Sequence, residues 1–463
     1  MRRLALFAVF LTVFFCVGCK HVTDIDPEHG LPGSYVVVTA SDDAFKNCDS
    51  NTEVSFYNTI SGGCVPAEVH DCMAGDYTHA EFIVPDNLPD TDQSKKYIVA
   101  LSCSPRSDET QVFMADICAP FSTAGMTQKE IDGKDYFDTN FVNRDGAVLV
   151  RVPDVCGPGG ECFSSERQGL AMMYYALAGD CEQYVKTRDF MEEYMMSEYD
   201  LLHWALDSHY QTEHDSSASI DDLKALEAVR LAIQKFGNPH DTEIATRLNN
   251  ALIDYEILDV GGDPYFTEGA SWDAYGVITD DSLPLCYANL PAMSDTMSPS
   301  AIWMETLLDT GAVIVNGEFS SNIGLYKFGY DYLTSTYYDY HPLETDLNGI
   351  YQALTGMNLT AYNTTLAQEN LDFWISQWDT YGIIAGHFLQ DGTPNCIYCS
   401  DISIYALVAQ LADVLDDAAF CNTMIGAIPQ APCGAFSIDP AYTEFGSYGN
   451  TLALIALVME RQP

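Results

Sequence analysis

The feature that most constrains the fold is a change in hydrophobic periodicity near residue 120. From about Phe121 onward, apolar residues recur with the period of amphipathic helices, separated by stretches rich in Gly, Pro, Asp and Asn. Many helices without a series of strands between them favour an (α/α) toroid over a bundle, and no strict short repeat indicates a solenoid. The predicted helices cover residues 170–177, 223–236, 246–257, 300–315, 366–381, 402–415 and 451–459.

Residues 34–120 follow a different pattern, in which short runs rich in β-branched residues alternate with turn residues. Runs at 35–38, 80–84 and 97–101 predict the strands of a small β-sandwich-like domain. No chemistry is evident in this domain, and a spacer role is favoured over carbohydrate binding. Residues 20–33, with two Pro and two Gly, are predicted to be a polar tether. The cysteines expected to staple the β domain are Cys48, Cys64, Cys72, Cys103 and Cys118.

The first nineteen residues have the organisation of an export signal. Arg2 and Arg3 precede an apolar run at 4–17 that is short for a membrane span. The run ends in Cys16-Val17-Gly18-Cys19, which resembles a lipobox, although Cys16 stands where Leu is usual. Lipidation at Cys19 would anchor the chain to the bacterial cell envelope, at the outer membrane or the cell surface. Plain secretion is the alternative.

Cysteine usage agrees with export. Two of the fifteen cysteines lie in the signal, and the remaining thirteen favour disulfides over metal ligands in an exported chain. Cys396 and Cys399 have CxxC spacing, for which a local or cross-loop disulfide is favoured over a zinc or redox site. Bridges could also close the loops at Cys156 and Cys162 and at Cys421 and Cys433. Because thirteen is odd, at least one thiol stays free or pairs outside the chain.

The charge balance excludes some functions. Twenty basic against 67 acidic residues give a formal charge of −47, whereas phosphate binding needs clustered Lys and Arg. Nucleic acid is therefore not an expected partner. The sequence contains no calcium-loop pattern, and we predict no metal and no cofactor. A solvated acidic surface, as in proteins of salty water, explains the charge best.

The helical part contains a chemically suggestive segment, Ser165-Glu166-Arg167-Gln168-Gly169-Leu170-Ala171-Met172. Together with Tyr136-Phe137 and residues 140–146, it resembles glycoside hydrolase family 8, whose pattern is close to S-E-G-Q-G-Y-G-M. The resemblance covers about residues 130–460 and implies an all-α (α/α)6 toroid with Glu166 as general acid. Partial desolvation would raise the pKa of Glu166 and preserve its proton. The alternative is a first-turn Glu that the helix dipole keeps ionised.

Two further segments carry the resemblance. Leu202-His203-Trp204 through Asp207 is similar to the family's L-x-x-W-x-x-D, which implies that Trp204 stacks on a sugar; core packing is the alternative. Residues 217–236 are similar to A-[ST]-D-[AG]-D and its following helix. The first family Asp, which binds sugar, is Ile220 here, and Asp221 is new. Asp222 retains the second position and is predicted to hold the sugar, with a helix N-terminal carboxylate as the alternative.

A second carboxylate is harder to place. Phe328-Gly329-Tyr330-Asp331-Tyr332 resembles the family's Y-D-A-x-R, whose Asp is the general base, but Thr334 replaces the Arg. Asp331 is therefore the candidate base, and Tyr330 a candidate substrate-binding residue. A separation of roughly 6.5–9.5 Å from Glu166 would leave room for a water and predict inversion. Fallback candidates are Asp273, Asp281 and Asp401.

Three hypotheses for function follow. The leading one is an inverting glycoside hydrolase acting on an extracellular β-linked polysaccharide, with a glucan or cellulose-like chain favoured as the substrate and with the lipid anchor holding the protein to the membrane. A non-catalytic surface lipoprotein that binds glycan or protein is the rival. A polysaccharide lyase ranks last because it needs basic residues, which are scarce here. The departures from the family pattern that favour the non-catalytic rival are Arg167, Leu170, Ala171, Ile220 and Thr334.

Overall fold

A computed structural model divides the chain into two compact units, Met1–Ile117 and Cys118–Pro463. In the first unit it describes nine pieces of chain: 22–26, 29–30, 35–40, 53–57, 64–72, 79–85, 88, 96–100 and 112–115. In the second unit it describes 118–150, 162–212, 215–260, 263–267, 269–272, 285–286, 323–326, 329–331, 336–338, 347–360, 363–389, 391–396, 400–437 and 446–461. The predicted helix at 300–315 lies outside these residues.

Eight strands form the first unit, in the order β1-β3-β6-β5-β4-β7-β8-β2. They are β1 Val22–Asp26, β2 His29–Gly30, β3 Tyr35–Ala40, β4 Glu53–Tyr57, β5 Cys64–Cys72, β6 His79–Ile83, β7 Lys96–Ala100 and β8 Val112–Ala115. The first half of β5 pairs with β4, and its second half pairs with β6. One strand therefore belongs to both halves of a sandwich-like arrangement.

The strand predictions are confirmed, but the prediction of a tether is wrong for part of residues 20–33. In β3, Val36, Val38 and Ala40 are buried while the residues between them are partly exposed, as the period of two predicts. Strand β1 pairs antiparallel with β3, and β2 pairs parallel with β8. The supposed tether therefore contributes two strands to the sheet.

The second unit is mainly helical. Its helices are α1 Gln128–Asn140, α2 Ser165–Ala178, α3 Cys181–Phe190, α4 Ser219–Phe236, α5 Pro239–Tyr255, α6 Gly349–Leu359, α7 Thr364–Tyr381, α8 Ile402–Val414, α9 Ala418–Ala427 and α10 Ser447–Glu460. A π-helical turn, Met191–Met195, continues α3. Short strands join the helices: Phe163–Ser164, Ala205–Leu206, Ile257–Val260, Asp263–Phe266, Leu285–Cys286, Gly329–Asp331, Thr336–Tyr338, Leu347–Asn348, His387–Phe388 and Pro394–Cys396.

Alternate helices form an inner layer. Helix α6 packs on α8, α8 on α10, α10 on α2 and α2 on α4. The intervening helices α1, α3, α5, α7 and α9 pack outside them. Composition explains the division, because α8 and α10 are buried on nearly every face, whereas α5 buries only one stripe. Each outer helix followed by its inner neighbour is one hairpin of a toroid.

The two ends of the helical unit lie together. Helix α1 packs on α10, and the buried Glu130 of α1 accepts hydrogen bonds from Arg461 at 3.0 and 3.1 Å. Lys129 donates to the backbone oxygens of Ile425 and Ile428 at the end of α9, each at 2.7 Å. A cation at a helix C-terminus satisfies carbonyls that lack helical partners. These contacts close the ring.

The cysteines correct two predictions and support another. Cys118 forms a disulfide with Cys181 at the start of α3, so it belongs to the helical unit and does not staple the β domain. Cys396 is disulfide-bonded, as favoured over zinc for this CxxC segment. Cys421 and Cys433 do not form the bridge that their spacing suggested, since both are thiols. The other cysteines predicted to staple the β domain, apart from Cys64 and Cys72 of β5, lie outside the described residues, as does Cys156.

Candidate active site

Glu166 lies in the first turn of α2, where the chain enters the inner layer. The Ser164 side chain caps the helix by accepting from the backbone N–H of Arg167. The Ser165 amide donates to the carbonyl of Trp204 at 3.2 Å. The start of α2 is therefore fastened to the loop that carries Trp204, and both Glu166 and Trp204 are partly exposed.

The N-terminal ends of the inner helices meet around Glu166. The Tyr448 phenol, in the first turn of α10, donates a hydrogen bond to the Glu166 carboxylate. The Arg167 guanidinium lies 5.8 Å from the centre of the Tyr448 ring and donates to Ser164 Oγ at 2.8 Å. Gly349 and Gly449 let the starts of α6 and α10 lie against that of α8, since a Cβ on them would come within 2.8 Å of the Ile404 side chain and 2.6 Å of the Ile402 side chain. We call this end of the ring, with Glu166, Arg167, Trp204 and Tyr448, the ring mouth.

Asp221 of α4 is a buried second carboxylate beside Glu166. It is 2% exposed, and it accepts from the Ser165 hydroxyl at 2.5 Å and from the Glu166 backbone amide. Close approach of the two helices is possible because residue 169 is glycine: a Cβ there would lie 3.0 Å from the backbone nitrogen of Ala225. The Gly in the segment after Glu166 thus lets α2 and α4 bring two acids together.

Burial dominates the electrostatics of this pair. Desolvation raises the pKa of Glu166, while Arg167, Lys224 and the Tyr448 hydrogen bond act in the opposite direction. The pKa of Asp221 is raised further, first by burial and then by the charge of Glu166. Two neighbouring acids with raised pKa values titrate as a unit and retain a proton above the pH at which exposed carboxylates lose theirs. A group of this kind can donate a proton near neutral pH.

The structure corrects the role predicted for Asp222. Its side chain is 0% exposed, its Oδ1 accepts from the Leu202 amide at 2.7 Å, and it hydrogen-bonds with Glu256. The physical reason is the rotation of α4, which turns Asp222 into the protein while Ile220 remains partly exposed. Asp222 therefore supports the loop before Trp204 and does not present its carboxylate to a ligand.

The remaining predicted residues stand apart from these. Tyr330 and Asp331 lie in the strand Gly329–Asp331, which pairs with Thr336–Tyr338, but their side chains are outside the described part of the chain. Asp401, a fallback candidate, caps α8 by accepting from the Ser403 amide at 2.7 Å and is exposed. Asp273 and Asp281 are outside the described residues.

Sequence reasoning missed three neighbours of Glu166. Tyr448 lay outside the helix predicted at 451–459, Arg167 was noted only as a departure from the family pattern, and Lys224 was not singled out. The available signal was that Tyr448, like Glu166, lies just before a strongly apolar run, in the first turn of the helix that the run forms. Within the described part of the chain, no three His, Cys, Asp or Glu side chains are grouped to hold a metal ion. No described helix is long and apolar enough to cross a bilayer.

The sequence matches no protein-family model and no curated protein sequence. Solved structures do resemble it. An α-amylase from Clostridium perfringens superposes with a TM-score of 0.60 at 19% identity, covering 74% of this chain and 99% of that one. A β-1,3-1,4-glucanase from Paenibacillus gives 0.56 at 15% identity, covering 74% and 94%.

The family 8 endoglucanase Cel10 from Klebsiella pneumoniae gives a TM-score of 0.52 at 14% identity, covering 72% of this chain and 99% of that one. At such identities the likeness concerns the fold, and it spans nearly the full length of each of these enzymes. Alternating inner and outer helices and closure of α1 on α10 agree with it. The helical unit of this chain has the (α/α)6 toroid fold.

Proposed function

We propose that this protein is an inverting glycoside hydrolase that acts on an extracellular β-linked polysaccharide, with a glucan or cellulose-like chain as the substrate. The observation that carries the proposal is Glu166, a partly exposed acid with a raised pKa at the mouth of a toroid. Burial disfavours the charged form, so Glu166 keeps a proton to give to the glycosidic oxygen. The structural neighbours include a β-1,3-1,4-glucanase and endoglucanases, which supports the substrate class.

Each neighbouring group has a place in this mechanism. Tyr448 and Arg167 orient the Glu166 carboxyl from one side, and Trp204 offers an aromatic face to a sugar ring. After protonation of the leaving oxygen, a water attacks the anomeric carbon from the opposite face, and Asp331 accepts its proton. Attack by water in a single displacement inverts the configuration. Tyr330 would contact the sugar beside this water.

Anomeric configuration of the first product tests this proposal. Incubation with mixed-linkage β-glucan, cellulose oligosaccharides, xylan and starch, followed at once by proton NMR, should show new α-anomeric ends from a β-linked substrate. Inversion at a β-linkage gives the α-anomer first, before mutarotation. Starch is included because one structural neighbour is an α-amylase. First-formed β-anomers from β-glucan would refute inversion, cleavage of starch alone would refute the β-linked substrate, and no cleavage of any of these substrates would refute the hydrolase.

A non-catalytic surface protein remains the second candidate, and two observations favour it. Ile220 is partly exposed at the position where the family 8 pattern has a sugar-binding Asp, and Arg167 stands next to Glu166 where that pattern has Gly. A protein that binds glycan without cleaving it would not need the Asp and the Gly that Ile220 and Arg167 replace. Affinity for the same glucans with no new reducing ends would select this alternative.

We further propose that the chain is exported and anchored to the cell envelope through lipid on Cys19. The support is the short apolar run after Arg2 and Arg3 and the lipobox-like segment that ends in Cys19. Cells expressing the protein should incorporate labelled palmitate into it, and Cys19→Ala should abolish the label. Equal labelling of the Cys19→Ala variant would contradict the proposal.

A further inference from the structure

Beneath the ring mouth lies a second pair of buried carboxyl groups, Asp222 and Glu256. Both side chains are 0% exposed. One oxygen of each is satisfied: Asp222 Oδ1 accepts from the Leu202 amide at 2.7 Å, and Glu256 Oε1 accepts from Ser217 Oγ at 2.6 Å. A buried carboxylate that accepts so few hydrogen bonds costs free energy. Whether the second oxygen of each carboxyl group is protonated therefore decides whether the pair stabilises the fold.

The second oxygens of the two carboxyl groups can form a hydrogen bond only if they share a proton. Asp222 Oδ2 and Glu256 Oε2 are both buried and receive no ordinary donor, while the two carboxyl groups hydrogen-bond with each other. Two carboxylates have only acceptors, so this bond exists only if one of them is protonated. Burial raises both pKa values, that of Glu256 to about 7. The charge of Glu256, and after it that of Asp221, raises the pKa of Asp222 further.

The pair joins the segments that carry two tryptophans. Asp222 binds the amide of Leu202, two residues before Trp204. Glu256 binds Ser217, whose Oγ accepts from the Ala270 amide at 3.0 Å and whose amide donates to the Ala270 carbonyl at 2.8 Å. Ala270 is two residues before Trp272.

The groups that face the pair come from each of these elements. Asp221 and Ser219 belong to α4, and the Ser219 hydroxyl donates to the Thr267 carbonyl at 2.6 Å. His203 follows Leu202, and its ring lies 5.4 Å from that of Trp272. His203 is an ionisable residue of the Trp204 loop, so its contribution must be distinguished from that of the pair in any experiment on pH.

We propose that Asp222 and Glu256 are positioning residues of the ring mouth, and that a proton shared between them fastens the Trp204 loop and the segment before Trp272 to α4. Loss of that proton places two adjacent charges in the interior and loosens both segments. The effect on turnover rests on the proposed function. The effect on folding and on tryptophan environment does not.

The expected pH dependence follows from the raised pKa values. The native state holds protons that the unfolded chain has released, so the stabilisation is complete below the unfolded pKa, near 4.5, and falls as pH rises through about 7 for Glu256. Within that window each extra proton held by the native state makes the unfolding constant rise by up to about tenfold per pH unit.

The test compares unfolding in urea and tryptophan fluorescence between pH 5 and 8 for the wild type, Glu256→Gln and Glu256→Ala, with Asp254→Asn as control. The Gln amide can donate a hydrogen bond to Asp222 without a shared proton. The unfolding constant of this variant should therefore rise with pH less steeply than that of the wild type, by up to about tenfold per pH unit. Glu256→Ala should be the least stable. Asp254 is exposed on the same helix, so its variant should match the wild type, and His203, retained in all of them, cannot produce the difference.

A Glu256→Gln variant with the full wild-type dependence would overturn the proposal, as would a Glu256→Ala variant as stable as Glu256→Gln. Asp222→Asn, which can donate to Glu256 in the same way, gives the same test if Glu256→Gln does not fold. With an active enzyme, Glu256→Ala should raise KM more than it lowers kcat, because it acts through Trp204. If the unfolding measurements agree with expectation but no substrate is cleaved, the proposed function is refuted, whereas the structural role of Asp222 and Glu256 is supported.

Discussion

Replacing Glu166 by Gln is expected to lower kcat on β-glucan by roughly 10²–10⁴-fold, the usual contribution of a general acid. The substitution preserves the shape of the side chain and its hydrogen bond with Tyr448, but an amide has no proton to give to the leaving oxygen. Glu166 is held by contacts from α2 and α10, so the variant should fold as the wild type does. Reducing-end release at saturating substrate measures the effect.

Glu182→Gln provides the matched control for this prediction. Glu182 is also a first-turn glutamate, at the start of the outer helix α3, and it is exposed. Its variant should retain wild-type turnover. Equal turnover of Glu166→Gln and the wild type would remove Glu166 from the mechanism, and equal losses in both variants would show that the effect is not specific to the ring mouth.

The largest expected effect on stability is that of Asp241→Ala, about 3–5 kcal/mol, as found when one partner of a buried ion pair is removed. Asp241 of α5 and Arg188 of α3 are both 0% exposed, and their side chains meet at 2.8 Å. Tyr184 also donates to Asp241, at 3.2 Å. The substitution takes away the buried carboxylate partner of a guanidinium that cannot give up its charge.

Asp189→Ala is the control, because Asp189 contacts the same guanidinium from a side chain that is 38% exposed. Solvent screens the Asp189 carboxylate, and Asp241 still pairs with the guanidinium in this variant, so the free energy of unfolding should change by no more than about 1 kcal/mol. Urea denaturation of both variants measures the difference. Equal destabilisation by the two substitutions would contradict the view that burial sets the strength of this contact.

Hydrophobic periodicity within a short segment was enough to predict several helices. The helix predicted at 223–236 is α4, Ser219–Phe236, and that predicted at 366–381 is α7, Thr364–Tyr381. Each begins a little earlier than its first apolar residue, because the first turn of a helix carries polar capping residues. Hydrophobic spacing marks the buried face of a helix more sharply than its start.

Contacts between distant segments could not be predicted in this way. The pairing of β1 with β3 turned a supposed tether into a strand, since Pro and Gly nearby had suggested an unpaired segment. The Cys118–Cys181 disulfide joins the entry of the helical unit to α3, and cysteine spacing alone does not give connectivity. Both features depend on a partner that lies far along the sequence or in another element.

In the candidate site too, local features could be predicted from the sequence, whereas contacts between distant segments could not. The segment around Glu166 identified an acid at a helix start, and the structure adds the neighbours that hold it. Asp222 was placed correctly at the beginning of α4, but its direction depends on the rotation of that helix against α2. Its partner, Glu256, lies at the end of α5 and carried no signal of its own in the sequence.

The most direct measurement of the central claim compares Glu166→Gln with the wild type on two substrates, a β-glucan and a β-glycosyl fluoride of the same sugar. Fluoride leaves without protonation, whereas the glucan oxygen requires it. The ratio of variant to wild-type rates should therefore be at least tenfold higher on the fluoride than on the glucan, within the range that a general acid contributes. An equal loss on both substrates would contradict proton donation by Glu166.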